Sequence, residues 1–211
     1  MTHLVYIEAS PMQASASTSS SVAAAWLEAY RQAHPDDTVD VINVWDIDLP
    51  PFDADMIAAK FAVLRAQNAT APQQALWARA VAVSQRFNAA DRYLFSLPMW
   101  NFGIPYRLKH FIDVVTLPGQ NWRWSRQAGY EALLPGKSAT LVYSSAGAYP
   151  VAPDEDESDF QKPYMRRWLR FLDIEVTAEI SAAPTLVPPE ELAATRAGAV
   201  ERARTLASSV S

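Results

Sequence analysis

The sequence predicts an α/β fold, namely a doubly wound parallel sheet of five strands with helices on both faces. Three features of the 211-residue chain predict it: five short apolar segments, helical apolar periodicity between them, and turn residues at their boundaries. Strands that alternate with helices in this way pair in parallel, because each helix returns the chain to the same edge of the sheet. We expect a single domain over residues 1–211.

Three strands and three helices are predicted in the first part of the chain. Each strand is a short apolar run, and Pro11 and Pro98 follow the first and the third as turn residues. Each helix is a longer segment whose apolar residues recur at helical spacing. The strands are expected at residues 4–9, 38–45 and 93–97. The helices are expected at residues 20–33, 56–64 and 76–87.

The second part of the chain continues the alternation. Pro105 and Pro163 stand at the starts of two predicted helices, where a residue without an amide hydrogen is tolerated. The last segment is Ala-rich and closes the chain as a helix. The strands are expected at residues 137–145 and 174–181. The helices are expected at residues 105–115, 164–172 and 190–208.

The composition excludes several classes of function. The chain has no Cys, which excludes thiolate nucleophiles, Fe–S clusters and disulfides. His3, His34 and His110 are too far apart for a paired metal site, so no bound metal is expected. A formal net charge of -5 disfavours nucleic acid as a partner. Without a signal peptide or a long apolar run, we expect a cytoplasmic protein with no membrane partner.

The loop after the first strand is rich in hydroxyl side chains and leads into a helix. A helix start offers amide hydrogens without partners and a partial positive charge, which suits a phosphate group. Ser and Thr hydroxyls add neutral donors where no Lys or Arg is nearby in the sequence. A Ser-rich loop that only caps its helix is the alternative. The candidate residues are Ser10, Ser17, Thr18 and Ser19.

Two further strand ends carry candidate ligand-binding loops. The loop of residues 98–105 combines aromatic and amide side chains with Gly and Pro, so its rings can pack on a planar heterocycle. A hydrophobic loop that fills the core is the alternative. The other loop consists of small residues, which let a ligand approach the backbone closely. The candidates are Met99, Trp100, Asn101 and Phe102 in the first loop, and Ser144, Ser145, Ala146 and Gly147 in the second.

Two other motifs carry no function on inspection. Gly136, Lys137 and Ser138 match the end of a phosphate-binding P-loop, but Glu131 stands where its first Gly is required and a strand follows. The acidic run at residues 154–157 is read as a solvated loop before a helix rather than as a cation site.

Taken together and in this order, the three strand ends make the chain resemble the FMN-dependent NADH:azoreductase and quinone reductase family of flavodoxin-like fold. The matching residues are 8–11, 98–102, 108–109, 112–113, 163–164 and 171–174. The family loop reads Pro-Met-Tyr-Asn-Phe, so Trp100 replaces a Tyr. The family turn reads Ser-Arg-Gly-Gly, whereas Ser145 and Ala146 stand in its middle here, which removes a positive charge.

The resemblance implies an FMN site and a dimer. The phosphate is expected near Ser10 and residues 17–19, although residues 15–17 offer the same Ser-x-Ser pattern. The isoalloxazine ring is expected against residues 99–102 and the turn of residues 144–147. The family is homodimeric, and by position Trp124 matches an aromatic wall of the substrate pocket and Phe171 a residue contributed across the dimer. Packing without substrate contact is the alternative for both.

The function that the resemblance implies is the reduction of quinones, with azo compounds as further acceptors, by NADH or NADPH through FMN. Since FMN itself carries the hydride, no side chain is expected to be catalytic, and the kinetics are expected to be ping-pong. The alternatives are a reductase of free flavin or of a natural product, a non-catalytic electron carrier, and a scaffold without flavin. The extra segments at residues 46–72 and 121–134 favour a walled pocket over a carrier. An NADPH phosphate would need an Arg, for which the candidates are Arg123, Arg126, Arg166 and Arg167.

Overall fold

The computed structural model describes residues 1–65, 69–149 and 158–210. Their strands are β1 (His3–Glu8), β2 (Thr38–Asn43), β3 (Arg92–Pro98), β4 (Trp122–Ser125), β5 (Gly129–Ala132), β6 (Lys137–Ser144) and β7 (Ile174–Ala182). Their helices are α1 (Thr18–Ala33), α2 (Ala54–Leu64), α3 (Ala71–Asn88), α4 (Tyr106–Val115), α5 (Gln161–Phe171) and α6 (Pro189–Ser208).

Five strands form one parallel sheet in the order β2-β1-β3-β6-β7. The chain moves outward from β1 to β2 and then returns to the other side of β1, so the strand order reverses between β1 and β3. Ligands of open α/β sheets bind at such a reversal, beyond the carboxyl ends of the strands. The predicted doubly wound sheet of five parallel strands is confirmed.

Helices cover both faces of the sheet, because alternate residues of each strand point to opposite sides. Leu4 and Tyr6 of β1 belong to a buried cluster with Trp26 of α1 and Ala203 of α6. The apolar side chains on the other face of the strands pack against α3, α4 and α5. This second cluster contains Val5, Ile7, Phe87, Phe95, Phe111 and Trp168.

Most element boundaries differ from the prediction by one to five residues, and side-chain hydrogen bonds explain two of the differences, at the end of β2 and at the start of α3. β2 ends at Asn43 rather than at residue 45, because the Asn43 side chain accepts the Trp45 amide hydrogen at 2.9 Å and turns the chain. α3 begins at Ala71 rather than at residue 76. There Thr70 and Gln73 form a reciprocal capping box, which stabilises a helix start without any apolar side chain.

The antiparallel hairpin of β4 and β5 was not predicted. Its strands have four residues each, too few for a pattern of alternation to be recognised. Trp122, the first residue of β4, is buried. Its ring centroid lies 5.5 Å from that of Tyr130 and 6.0 Å from that of Phe171. Within the ranges that the structure describes, no helix is both long and apolar enough to cross a bilayer.

Candidate functional site

The three predicted strand ends meet at the carboxyl edge of the sheet, on the two sides of β3. The Ala9 amide donates to the Ser96 carbonyl at 2.9 Å, which joins the end of β1 to β3. The Met99 amide donates to the Ser144 carbonyl at 2.7 Å, which joins the loop after β3 to the end of β6. The structure therefore brings the hydroxyl-rich loop, the aromatic loop and the small-residue turn together at the point where strand order reverses.

The hydroxyl-rich loop ends at the start of α1 with the chemistry of an anion site. Ser17 caps the helix, since its hydroxyl accepts the Ser20 amide hydrogen at 3.2 Å. The amides of Thr18 and Ser19 then have no acceptor within the helix. Ser10, Ser17, Thr18 and Ser19 are all buried around this helix start. Ser15 is exposed before the cap, which favours the register of residues 17–19 over that of residues 15–17.

A buried hydroxyl at the same helix start has only a weak partner among the described residues. Ser20 is 1% exposed, and its Oγ lies beyond normal hydrogen-bond distance from every described polar atom, although it is close enough to the Tyr6 hydroxyl to lower the pKa of Tyr6 slightly against the larger effect of burial. Beneath it, the Tyr6 hydroxyl lies 2.9 Å from the Ser96 hydroxyl, and burial raises the pKa of Tyr6, so this group stays neutral. A helix start with free amides, buried hydroxyls and no carboxylate bonded to it among the described residues fits a phosphate group.

The aromatic loop turns tightly and presents two amides. Trp100 and Gly103 exchange two backbone hydrogen bonds of 3.0 Å, so the two residues between them form the tip of the turn. Asn101 and Phe102 have φ angles of 47° and 68°, in the left-handed region that non-glycine residues seldom adopt. Both are exposed, and their amides lie outside the bonds that close the turn. They are therefore available to the edge of a planar ligand.

In the described part of the chain, the carbonyl groups of the small-residue turn after β6 accept hydrogen bonds, whereas two of its amides donate none. The Ser145 hydroxyl donates to the Gly147 carbonyl at 2.8 Å, and the Thr185 amide donates to the Ser145 carbonyl at 2.9 Å. The amides of Ala146 and Gly147 make no hydrogen bond within the described ranges. Ser145 is buried, so a side chain that holds the turn stands where the resembling family has an Arg.

The sequence did not predict an aromatic cluster beside the aromatic loop of residues 98–105. The ring centroid of Trp45 lies 5.7 Å from that of Trp100 and 5.4 Å from that of Tyr106. The Trp45 indole donates to the Ala9 carbonyl at 3.1 Å, which fixes the ring at the end of β1. The cluster could have been recognised from the positions of its members, because all three aromatic residues follow strand ends at the same edge of the sheet.

Trp124 and Phe171 are not brought to this edge within one chain. Phe171 ends α5 just before β7 begins, and Trp124 pairs with Tyr130 in the hairpin that precedes β6. Strand starts lie at the amino edge, so both residues are at the opposite end of the sheet from the hydroxyl-rich loop. Phe171 also lines a cavity of about 550 Å³ between α2, α4, α5 and the hairpin, together with Phe52, Phe61, Trp122, Tyr130 and Tyr164 among others.

Two of the four Arg candidates for an NADPH phosphate are engaged elsewhere. Arg123 binds Glu131 across the hairpin, with Nη2 and Oε1 3.0 Å apart. Arg166 binds Glu179, with Nη2 and Oε2 2.6 Å apart. Among the described residues, no three His, Asp or Glu side chains gather as a metal site. The acidic run at residues 154–157 lies outside the described residues.

Comparisons with known proteins agree with this geometry. A family model of the flavodoxin-like fold matches residues 2–207. A Pseudomonas syringae protein named FMN-dependent NADH:quinone oxidoreductase 2 is 39% identical over 212 residues, with 99% of each chain covered.

Solved structures show the same fold. The azoreductase AzrA is similar with a TM-score of 0.88 at 24% identity, over 99% of this chain and 100% of the other. An FMN-dependent NADH-azoreductase from Bacillus anthracis, solved in complex with FMN, is similar with a TM-score of 0.83 at 25% identity, over 98% of this chain and 100% of the other.

Proposed function

The chain belongs to the flavodoxin-like family of FMN-dependent NADH:quinone oxidoreductases, and from this premise we propose that it uses NADH to reduce quinones through bound FMN. Aromatic azo compounds are proposed as additional acceptors, in line with the azoreductases that share the fold. The observation that carries the proposal is the meeting of the three loops where strand order reverses, with their free amides and hydroxyls facing one edge.

The phosphate of FMN would be held at the start of α1. The free amides of Thr18 and Ser19 and the hydroxyls of Ser10 and Ser17 supply neutral donors, and the aligned peptide dipoles of the helix add partial positive charge. The isoalloxazine ring would be held by the aromatic loop of residues 99–102 and the turn of residues 144–147. The amides of these two loops are the groups able to bind the polar edge of the ring.

FMN supplies the redox chemistry when bound, because it accepts a hydride from the nicotinamide and passes two electrons to the acceptor. The chain contributes binding and orientation and needs no nucleophile, which agrees with the absence of Cys. Trp100, with Trp45 and Tyr106 beside it, provides an aromatic surface on one side of the loop. NADH and the acceptor would use the remaining open face in turn, so the proposed kinetics are ping-pong.

We also propose that the active form is a homodimer, located in the cytoplasm. Phe171 lines an apolar cavity of about 550 Å³, and the aromatic rings of Trp124 and Tyr130 in the neighbouring hairpin are exposed. A surface of this kind is typical of a protein interface. In a two-fold dimer, these residues of one chain would face the flavin site of the other and wall its substrate pocket.

The test is anaerobic spectroscopy of the purified protein. FMN is added and the excess is removed. The flavin absorption at about 450 nm is then followed while NADH, and afterwards a soluble naphthoquinone, are added. We expect retained FMN, bleaching by NADH and recovery with the quinone. Retained FMN that NADH does not bleach would identify an electron carrier, and failure to retain FMN would overturn the proposal. Intersecting rather than parallel initial-rate plots would overturn the ping-pong mechanism alone.

A further inference from the structure

A guanidinium group lies at the proposed phosphate site, although none is near it in the sequence. Arg196 of α6 donates from Nε to the Thr18 hydroxyl at 2.9 Å, across 178 positions of sequence. α6 packs closely on α1 because its buried residues are small, namely Ala199, Ala203 and Ala207. Helical side chains lean toward the helix N-terminus, so Arg196 reaches back to the first turn of α1.

Arg196 has no carboxylate partner in the part of the chain that the structure describes. None of the carboxylates that the structure describes forms an ion pair with it, whereas Arg86, Arg123 and Arg166 each bind one. The hydrogen bond to Thr18 uses only Nε, and the two terminal nitrogens of the guanidinium bond to no described residue. A half-buried Arg with two unused terminal nitrogens is suited to an oxyanion.

The bond to Arg196 also determines how the Thr18 hydroxyl can act. A guanidinium only donates hydrogen bonds, so Thr18 must accept from it, and the hydroxyl keeps its own hydrogen to donate. Thr18 is the first residue of α1, beside the free amides of the helix start. The Ser20 Oγ in the same turn is buried next to the Tyr6 hydroxyl and has no partner at normal hydrogen-bond distance among the described residues.

We propose that Arg196 is a specificity-determining residue of the cofactor site, which selects FMN over unphosphorylated riboflavin by compensating the phosphate charge and orienting the Thr18 hydroxyl. The inference rests on the proposed function and deepens it. Neutral hydroxyls and amides alone bind an anion without supplying a full charge, so the contribution of Arg196 is specific to the phosphate. Arg196 does not contribute to binding of the isoalloxazine ring, which the loops after β3 and β6 would hold.

The experiment compares FMN and riboflavin binding to the apoprotein and to Arg196→Gln, by quenching of flavin fluorescence at low salt. One charge-assisted interaction is lost, so we expect the Kd of FMN to rise about 10- to 100-fold. The Kd of riboflavin is expected to change less than about twofold, since it carries no phosphate. Arg196→Lys restores the charge but not the planar fork, and it is expected to recover part of the loss.

Two further variants separate this role from a structural one. Arg202→Gln lies on the exposed face of the same helix and is expected to leave both Kd values unchanged. Thr18→Val keeps the side-chain shape, and Arg196→Gln is expected to cost less in that background because the two residues act together. Thermal unfolding of each apoprotein checks the fold.

Each outcome bears on one claim. If Arg196→Gln changes the Kd values of FMN and riboflavin by the same factor, so that their ratio stays the same, the proposed role of Arg196 is overturned. Wild-type protein that binds neither flavin would overturn the proposed function instead, so the two failures are distinguishable.

Discussion

Lys162 and Asp159 form an ion pair whose Nζ and Oδ2 atoms are 2.6 Å apart, with only 2% and 7% of the two side chains exposed. The other carboxylate oxygen of Asp159 accepts the Gln161 and Lys162 amide hydrogens at 2.8 and 3.1 Å. Lys162 Nζ also lies 3.4 Å from the Tyr149 carbonyl and 5.7 Å from the ring centroid of Tyr149. The pair therefore fastens the start of α5 to the chain that follows the small-residue turn.

The segment that carries this ion pair contacts the aromatic loop as well. The Phe160 amide donates to the Phe102 carbonyl at 2.9 Å, at the tip of the aromatic loop. The Gln161 side chain donates to the Leu97 carbonyl at 3.3 Å, at the end of β3. Four consecutive residues thus connect the two loops proposed to hold the flavin ring, and the ion pair stabilises their position.

Lys162→Met is predicted to be strongly destabilising. The substitution leaves the Asp159 carboxylate buried without its partner, which costs about 3–5 kcal/mol of the free energy of unfolding. Urea denaturation of the apoprotein measures it. The double variant with Asp159→Asn and Lys162→Met is expected to recover part of the loss, since it leaves no uncompensated charge.

An exposed pair in the same chain is the matched control. Lys109 and Asp113 are also 2.6 Å apart on one helix, but 46% and 34% of their side chains are exposed. Lys109→Met is expected to cost about 0.5 kcal/mol or less. If Lys162→Met costs no more than this control, the ion pair does not hold the segment.

Phe102→Gly is predicted to stabilise the apoprotein and to weaken FMN binding. Phe102 has a φ of 68°, which is strained for any residue except glycine, and its ring is mostly exposed. Relief of the strain should raise the free energy of unfolding by up to about 1 kcal/mol, while the loss of the ring removes a proposed contact to the flavin. Urea denaturation and FMN titration measure the two effects.

Phe102→Ala separates ring from backbone. It removes the same ring and keeps the strained φ. FMN binding should therefore weaken as in Phe102→Gly, with no gain in the free energy of unfolding. A gain in both variants would show that the ring, and not the backbone, causes the strain.

The sequence predicted those parts of the site that depend on local patterns. Strand ends and hydroxyl-rich helix starts are recognised within about ten residues, because turn residues and capping side chains act over that distance. Ser17 and Asn101 could therefore be proposed as candidate site residues from sequence alone.

The rest of the site depends on tertiary packing, which sequence spacing does not record. Arg196 reaches Thr18 because α6 packs on α1, and their sequence separation is 178 residues. Trp45 joins Trp100 because β2 returns beside β1. A single chain gives no pattern that relates such residues, and a search restricted to motifs passes over them.

Arg86→Met is predicted to lower stability at neutral pH but not in acid. Two hydrogen bonds of 2.7 Å from the Arg86 guanidinium hold the pKa of Asp40 below its ordinary value of 3.8. A carboxylate whose pKa is lowered by folding stabilises the protein above its unfolded pKa, and this contribution is lost as the pH falls through the folded pKa. Since both groups are partly exposed, we expect a loss of about 0.5–1 kcal/mol at neutral pH.

Urea denaturation from neutral pH down to values below 3.8 follows the difference between Arg86→Met and wild type, which should shrink toward zero in acid. Arg79→Met on the same helix is the control, because its pair with Asp48 is more exposed and should contribute nothing measurable at any pH. A loss that is constant with pH would assign the effect of Arg86 to packing.

Two inactivating substitutions on different chains are predicted to complement each other. Ser17→Asp places a negative charge at the proposed phosphate site, and Phe171→Ala removes the ring that the partner chain is proposed to contribute. In a two-fold dimer with shared sites, a heterodimer of the two variants has one site with both residues intact. Co-expression with two different affinity tags isolates this heterodimer, and we expect about half of wild-type quinone reduction.

The arrangement of the same substitutions on one chain reverses the expectation. When Ser17→Asp and Phe171→Ala share a chain whose partner is wild type, each of the two sites contains one defect, and activity should fall to about half of that of the Phe171→Ala homodimer. If each chain instead formed its own complete site, this second heterodimer would be about half active and the first would not exceed Phe171→Ala. The two heterodimers contain identical residues, so differences in stability or expression cannot produce the reversal, and only a site shared between subunits predicts the first result.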